Sequence, residues 1–128
     1  MLLLGSLVLS GCTEHVNERC GGSGGEITCS ITYKTSDGQW STDLEGKRYE
    51  STLTLNGTFT VESGSGTLRI QGDDETYEYP LSAEEPVVIE DLTLTMIHRG
   101  SDETLVGLAT LADPQLDGFS AEFTYVRE

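Results

Sequence analysis

The chain has 128 residues, with three cysteines (Cys12, Cys20 and Cys29) and two histidines (His15 and His98). That leaves few routes to covalent or metal chemistry. A nucleophilic enzyme needs a hydroxyl or thiol within reach of a base. No Gly-x-Ser-x-Gly is present, and His98 with any of several serines singles out no pair. Cys20 and Cys29 without a nearby histidine pair make a poor zinc site. Carboxylates are plentiful, in Asp73-Asp74-Glu75, Glu84-Glu85, Glu90-Asp91, Asp102-Glu103, and Asp113 with Asp117-Gly118. Calcium needs several oxygens converging on one ion, and no cluster has the Asp-x-Asp-x-Asp-Gly spacing that one loop would supply. Glycoside hydrolysis needs two carboxylates, and the 22 acids allow many pairs without favouring one. These clusters read as solvated turn carboxylates. Gly64-Ser65-Gly66 lacks the helix and lysine of a phosphate loop and reads as a hairpin connection. Asn56-Gly57-Thr58 matches a glycosylation sequon and reads as a turn. The expectation is no catalytic residue, no metal and no cofactor.

The N-terminus carries a different chemistry. Residues 2–9 are apolar except for Gly5 and Ser6, the length of a secretory apolar region and too short to span a bilayer. Leu9-Ser10-Gly11-Cys12 follows. Small residues before a cysteine let a signal peptidase reach the backbone, and the cysteine thiol can take a diacylglycerol. This segment resembles the lipobox of bacterial lipoproteins, over residues 1–12 only. The resemblance implies a signal peptide over 1–11 and lipidation of Cys12. It also implies a mature chain Cys12–Glu128 moored to the cell envelope by acyl chains, each buried methylene adding about 0.8 kcal/mol. Thr13 rather than Asp after the cysteine favours, by the same resemblance, the outer membrane of a Gram-negative cell.

With Cys12 lipidated, Cys20 and Cys29 remain as an even pair in an oxidising compartment. Ile27, Cys29, Ile31 and Tyr33 alternate with Thr28, Ser30, Thr32 and Lys34, a half-buried strand with Cys29 facing inward. A Cys20–Cys29 disulfide is expected. Residues 12–25 are then read as lipidated cysteine and Gly-rich tether. Its free part, Thr13–Arg19, would reach roughly 25 Å when extended. Residues 26–128 are read as a single domain.

Beyond residue 25 the hydrophobic period is two, and no segment offers a persuasive amphipathic helix. Strands are predicted at 26–35, 39–44, 48–55, 58–62, 67–71, 76–81, 86–98, 104–112 and 119–127. The fold class is all-β, an antiparallel up-and-down meander closing into a small barrel, with a two-sheet sandwich as the alternative. Register follows from parity. A three-residue loop over Leu55-Asn56-Gly57, with Gly57 left-handed, would pair Leu53 with Phe59. A hairpin around Asp73-Asp74 pairs Ile70 with Tyr77, Leu68 with Tyr79 and Arg69 with Glu78. Inward parity shifts between Val87-Val88-Ile89 and Leu92, Leu94, Met96, which places a bulge at Glu90-Asp91. Trp40 follows a turn and could leave its indole exposed.

Charge narrows the function. Seven Lys and Arg stand against 22 Asp and Glu, a formal charge of −15. Such a surface repels phosphate backbones and argues against a nucleic-acid partner. The expected partners are the membrane, through the lipid anchor, and an envelope protein or small molecule. The leading reading is a non-enzymatic envelope lipoprotein with a binding or structural β-domain. A lipocalin-like carrier of an apolar ligand is the second reading, and a carboxylate-dependent enzyme the third.

Overall fold

The computed structural model describes residues 12–23 and 25–128, so the leader over 1–11 lies outside the described residues. The described residues are all-β and antiparallel. Ten strands make one sheet: β1 (Thr13–Glu14), β2 (Asn17–Ser23), β3 (Glu26–Ser36), β4 (Gln39–Lys47), β5 (Thr52–Thr60), β6 (Ser63–Gln71), β7 (Thr76–Ser82), β8 (Val87–Thr95), β9 (Ile97–Arg99) and β10 (Glu103–Arg127).

The 25-residue β10 organises the sheet. Its C-terminal half lies between β3 and β5, its N-terminal half between β4 and β6. β3 and β4 run in the same direction along one side of β10, end to end, from Val126↔Glu26 to Glu103↔Lys47. β5 and β6 do the same along the other side, from Arg127↔Leu53 to Gly107↔Gln71. The sheet is therefore three long strands, each interrupted once, with shorter strands on their flanks. The meander of short hairpins and the closed barrel predicted from sequence are not what forms. The sheet stays open, and β3–β4 and β5–β6 are not hairpins.

The three interruptions align. They fall at Asp37-Gly38, at Val61-Glu62 and between Ala112 and Leu116, where Leu116 pairs with Ser36 on one side and Gly64 on the other. Along this line the sheet folds over into two layers. Each long strand switches inward parity there. Cys29, Ile31 and Tyr33 give way to Trp40 and Leu44. Leu53, Leu55 and Phe59 give way to Leu68 and Ile70. Val106, Leu108 and Thr110 give way to Phe119, Ala121 and Phe123. A side-chain period of two sends a whole strand to the wrong face after a one-residue slip. The simultaneous switch keeps both inner faces pointed at one shared core. Gly64, at φ 93, belongs to this corner rather than to a hairpin, and an added Cβ there would overlap the Gln115 carbonyl.

Local registers read from sequence hold where they rest on one hairpin. β6 and β7 pair Ile70 with Tyr77, Leu68 with Tyr79 and Arg69 with Glu78, the last an ion pair of 2.9 Å. The bulge at Glu90-Asp91 is present: β5 and β8 slip by one residue there, Asp91 has φ 52, and its N–H donates to Asn56 Oδ1 at 2.8 Å. The Asn56-Gly57 turn is overturned. Both residues lie inside β5, Leu53 does not face Phe59, and Gly57 pairs with Phe123. At the end opposite the corner, Arg48–Ser51 crosses between layers. Glu50, 7% exposed, accepts the Lys47 N–H at 2.7 Å and lies 3.6 Å from Arg127 Nε.

Candidate functional site

The N-terminal residues are part of the sheet rather than a tether. β1 and β2 follow β3 in one register, from Thr13↔Ser36 to Ser23↔Glu26, interrupted at His15 with φ 56. The domain therefore starts near residue 13, not 26. Cross-strand pairing puts Cys20 directly opposite Cys29, with Cα atoms 4.1 Å apart, and the two form the expected disulfide. In the chain-entropy model a loop of this size adds about 2–3 kcal/mol.

Cys12 is the free cysteine and is exposed. Its backbone is held on both sides by Asp37. The Asp37 N–H donates to the Cys12 carbonyl at 3.1 Å, and the Cys12 N–H donates to Asp37 Oδ1 at 2.6 Å. One residue on, the Thr13 and Ser36 hydroxyls meet at 2.8 Å. An open cavity of about 210 Å³ lies beside the thiol, lined by Cys12, Glu14, Thr35, Asp37 and Gln115.

The corner next to this strap is pinned by Asp117. Its Oδ1 accepts from the Thr35 hydroxyl at 2.7 Å and Gln115 Nε2 at 2.8 Å, and its Oδ2 accepts from the Ser63 hydroxyl at 3.0 Å. β3, β10 and β6 thus meet on one carboxylate. These donors, Gln115 first, hold the Asp117 carboxyl below the ordinary carboxylate value. Hydrogen bonds to the charged form stabilise it.

The other acidic clusters do not converge. Among the described residues no group of three or more His, Cys, Asp or Glu is placed to hold a metal ion. His15 and His98 are both exposed and far apart in the sheet, on the β1–β2 break and on β9. The aromatics go mostly inward. Trp40, whose position after a turn left its indole open to exposure, is 8% exposed and packs 5.9 Å from both Tyr33 and Phe119. Burial raises the Tyr33 hydroxyl above its ordinary value, opposed by its hydrogen bond to Thr110. Tyr49 is the exception, 74% exposed at the end opposite the corner.

A feature that sequence reading missed lies on the outer face of the layer formed by β4, β10 and β6. Gly107 and Ala109 form the floor of an open groove of about 120 Å³, walled by Gln39, Ser41 and Asp43 on one side and Arg69 and Gln71 on the other. Asp43 is paired with Arg99 at 3.1 Å and Arg69 with Glu78, so the charges are already matched. Gln39, Ser41 and Gln71 supply neutral donors and acceptors. The groove is smaller than the usual 300–1,000 Å³ of small-molecule sites. It can seat a small polar group, and it contains no nucleophile–base pair. Its residues come from three distant stretches, so the only sequence signal was the alternation of polar residues in Gln39-Trp40-Ser41-Thr42-Asp43.

No protein-family model matches the chain, and comparison with curated proteins finds no match. Among solved structures, the chain is similar to a CBM4 structure, with 13% identity and TM-score 0.40 over 98% of this chain and 83% of that one. It is also similar to the capsular polysaccharide assembling protein CapF from Staphylococcus aureus, with 16% identity and TM-score 0.35 over 88% of this chain and 29% of that one. A third similarity is to procruciferin, the 11S globulin of Brassica napus, with 9% identity and TM-score 0.34 over 78% of this chain and 20% of that one. The chain thus spans less than a third of the CapF structures it resembles.

Proposed function

We propose that this chain is an acyl-anchored lipoprotein of the bacterial cell envelope whose β-domain binds a partner or serves a structural role rather than catalysing a reaction. One observation carries the reading. The cysteine outside the disulfide is exposed, follows Leu9-Ser10-Gly11, and directly precedes the first strand of the sheet. The Cys20–Cys29 bond supports the same compartment, because disulfides persist where the environment is oxidising. Among the described residues no helix is long and apolar enough to cross a membrane, so attachment in this reading falls to the lipid.

The carrier reading draws little support. The sheet is open, and large side chains such as Phe59, Phe119, Leu68 and Met96 pack its interior to less than 2% exposure. A carboxylate-dependent enzyme draws little either, since the acids are dispersed over turns and strand ends. A small polar partner would find neutral donors and acceptors in the groove over Gly107 and Ala109.

The test is metabolic labelling of the full chain with a fatty-acid analogue, with mass spectrometry of its N-terminal peptide. The expected result is removal of residues 1–11 and acyl mass on Cys12, both lost in Cys12→Ser. An intact leader with no fatty acid on that sulfur overturns the proposal.

A further inference from the structure

We infer that the corner end of the two-layer sheet is the face the domain turns to the bilayer, and that it is held there without slack. The inference rests on the lipidation of Cys12 proposed above. The residue after Cys12 is already paired, Thr13 with Ser36, and both backbone groups of Cys12 are bonded to Asp37. No free residue separates the acylated sulfur from the sheet.

This clamp survives maturation. Cleavage before Cys12 converts its amide nitrogen to an amine, and acylation of that amine restores an amide. In each form the nitrogen still offers an N–H to the Asp37 carboxylate, and the amine offers it as a cation. The cavity beside Cys12 is lined by Glu14, Thr35, Asp37 and Gln115, none of them an apolar residue, and gives the acyl chains no apolar seat. They are directed outward, into lipid.

The occupant of this face is the bilayer that holds the acyl chains, not a charged ligand. Glu14, Asp37, Glu62 and Asp113 gather near the corner and give anionic headgroups no attraction. Covalent proximity alone brings the corner down. The opposite end, with the exposed Tyr49 and the Arg99–Glu103 hairpin, then points away from the membrane, where an envelope partner can reach it.

Trp40, the single tryptophan, lies just beyond the Gly38 break and reports the height of the corner. Residues 12–128 contain every described strand of the sheet. They are coupled through the Cys12 thiol to a maleimide-headed phospholipid in phosphatidylcholine vesicles carrying dansyl-headgroup lipid. The reference is the same protein with eight Gly and Ser residues inserted between Cys12 and Thr13, an added reach of about 16 Å. Energy transfer from Trp40 is expected to be about twofold or more stronger without the insertion. Equal transfer in the two overturns the inference. Because the lipid is attached chemically, this outcome is independent of native processing. Lack of acyl mass on native Cys12 would instead overturn the proposed function.

Discussion

The hydroxyls of Tyr33 and Thr110, 77 residues apart in the chain, meet at 2.8 Å in the buried interior. Tyr33 belongs to β3, on the C-terminal half of β10, and Thr110 to the N-terminal half. The bond therefore ties the two layers together across the corner. It stands among stacked rings, with Tyr33 and Phe119 centroids 4.8 Å apart.

Tyr33→Phe keeps the ring packing and removes one partner of that bond. The Thr110 hydroxyl is 0% exposed and would be left without it. A buried unsatisfied group costs about 1–3 kcal/mol. Urea unfolding should show a loss in that range, and Tyr33→Phe with Thr110→Val should recover part of it. A neutral single mutant would mean the layers are not joined here.

Gly57 separates a strand from a turn. An added Cβ would overlap Phe123 Cβ and lie 2.7 Å from the Glu122 carbonyl oxygen. Gly57→Ala should cost about 1–3 kcal/mol through overpacking. Gly57→Asn is the sharper test, since asparagine tolerates the left-handed region of a turn. In β5 it should destabilise at least as much as alanine; tolerance of asparagine alone would restore the hairpin.

Asp117 sets a pH dependence. Its folded carboxyl titrates below the ordinary value of 3.8. The stabilisation it gives is therefore present above about pH 4 and is lost as pH falls through its lowered folded value. Asp117→Asn should be less stable than the parent at pH 7, and the gap should narrow below pH 3.8. A gap that stays constant from pH 7 down to about pH 2 would show that the carboxylate charge is not what pins the corner.

The disulfide closes the hairpin that carries the strap. Replacing Cys20 and Cys29 together by alanine should cost about 2–3 kcal/mol. Hydrogen exchange should rise first in Asn17–Ser23, the edge strand. Unchanged exchange there would show that β2 is held by backbone pairing alone.

Release from the membrane tests the anchor. Cys12→Ser should move the protein to the soluble fraction, as read by fractionation. Unchanged partitioning would exclude the thiol as the point of attachment.

Alternation of apolar and polar residues by itself determined the all-β class, the inward faces around Ile31, Leu53, Leu68 and Phe123, the β6–β7 register and the Glu90-Asp91 bulge. Those properties depend on neighbours a few residues away, so local pattern carries them. The cysteine spacing likewise placed Cys20 against Cys29. The direction of β4 relative to β3, and of β6 relative to β5, was decided only in the tertiary structure. Gly38 and the Gly64-Ser65-Gly66 run look like hairpin turns locally. They form a bend because β10 runs on through its own Ala112–Leu116 irregularity and pairs with the strands on both sides of each break. Asn56-Gly57 misleads for a related reason. Glycine is needed there to admit Phe123 from another strand, and asparagine to satisfy the bulge at Asp91, demands that arise only once distant strands are side by side. The groove over Gly107 and the seating of Cys12 on Asp37 belong to the same class, because each joins residues that only the folded sheet brings within reach.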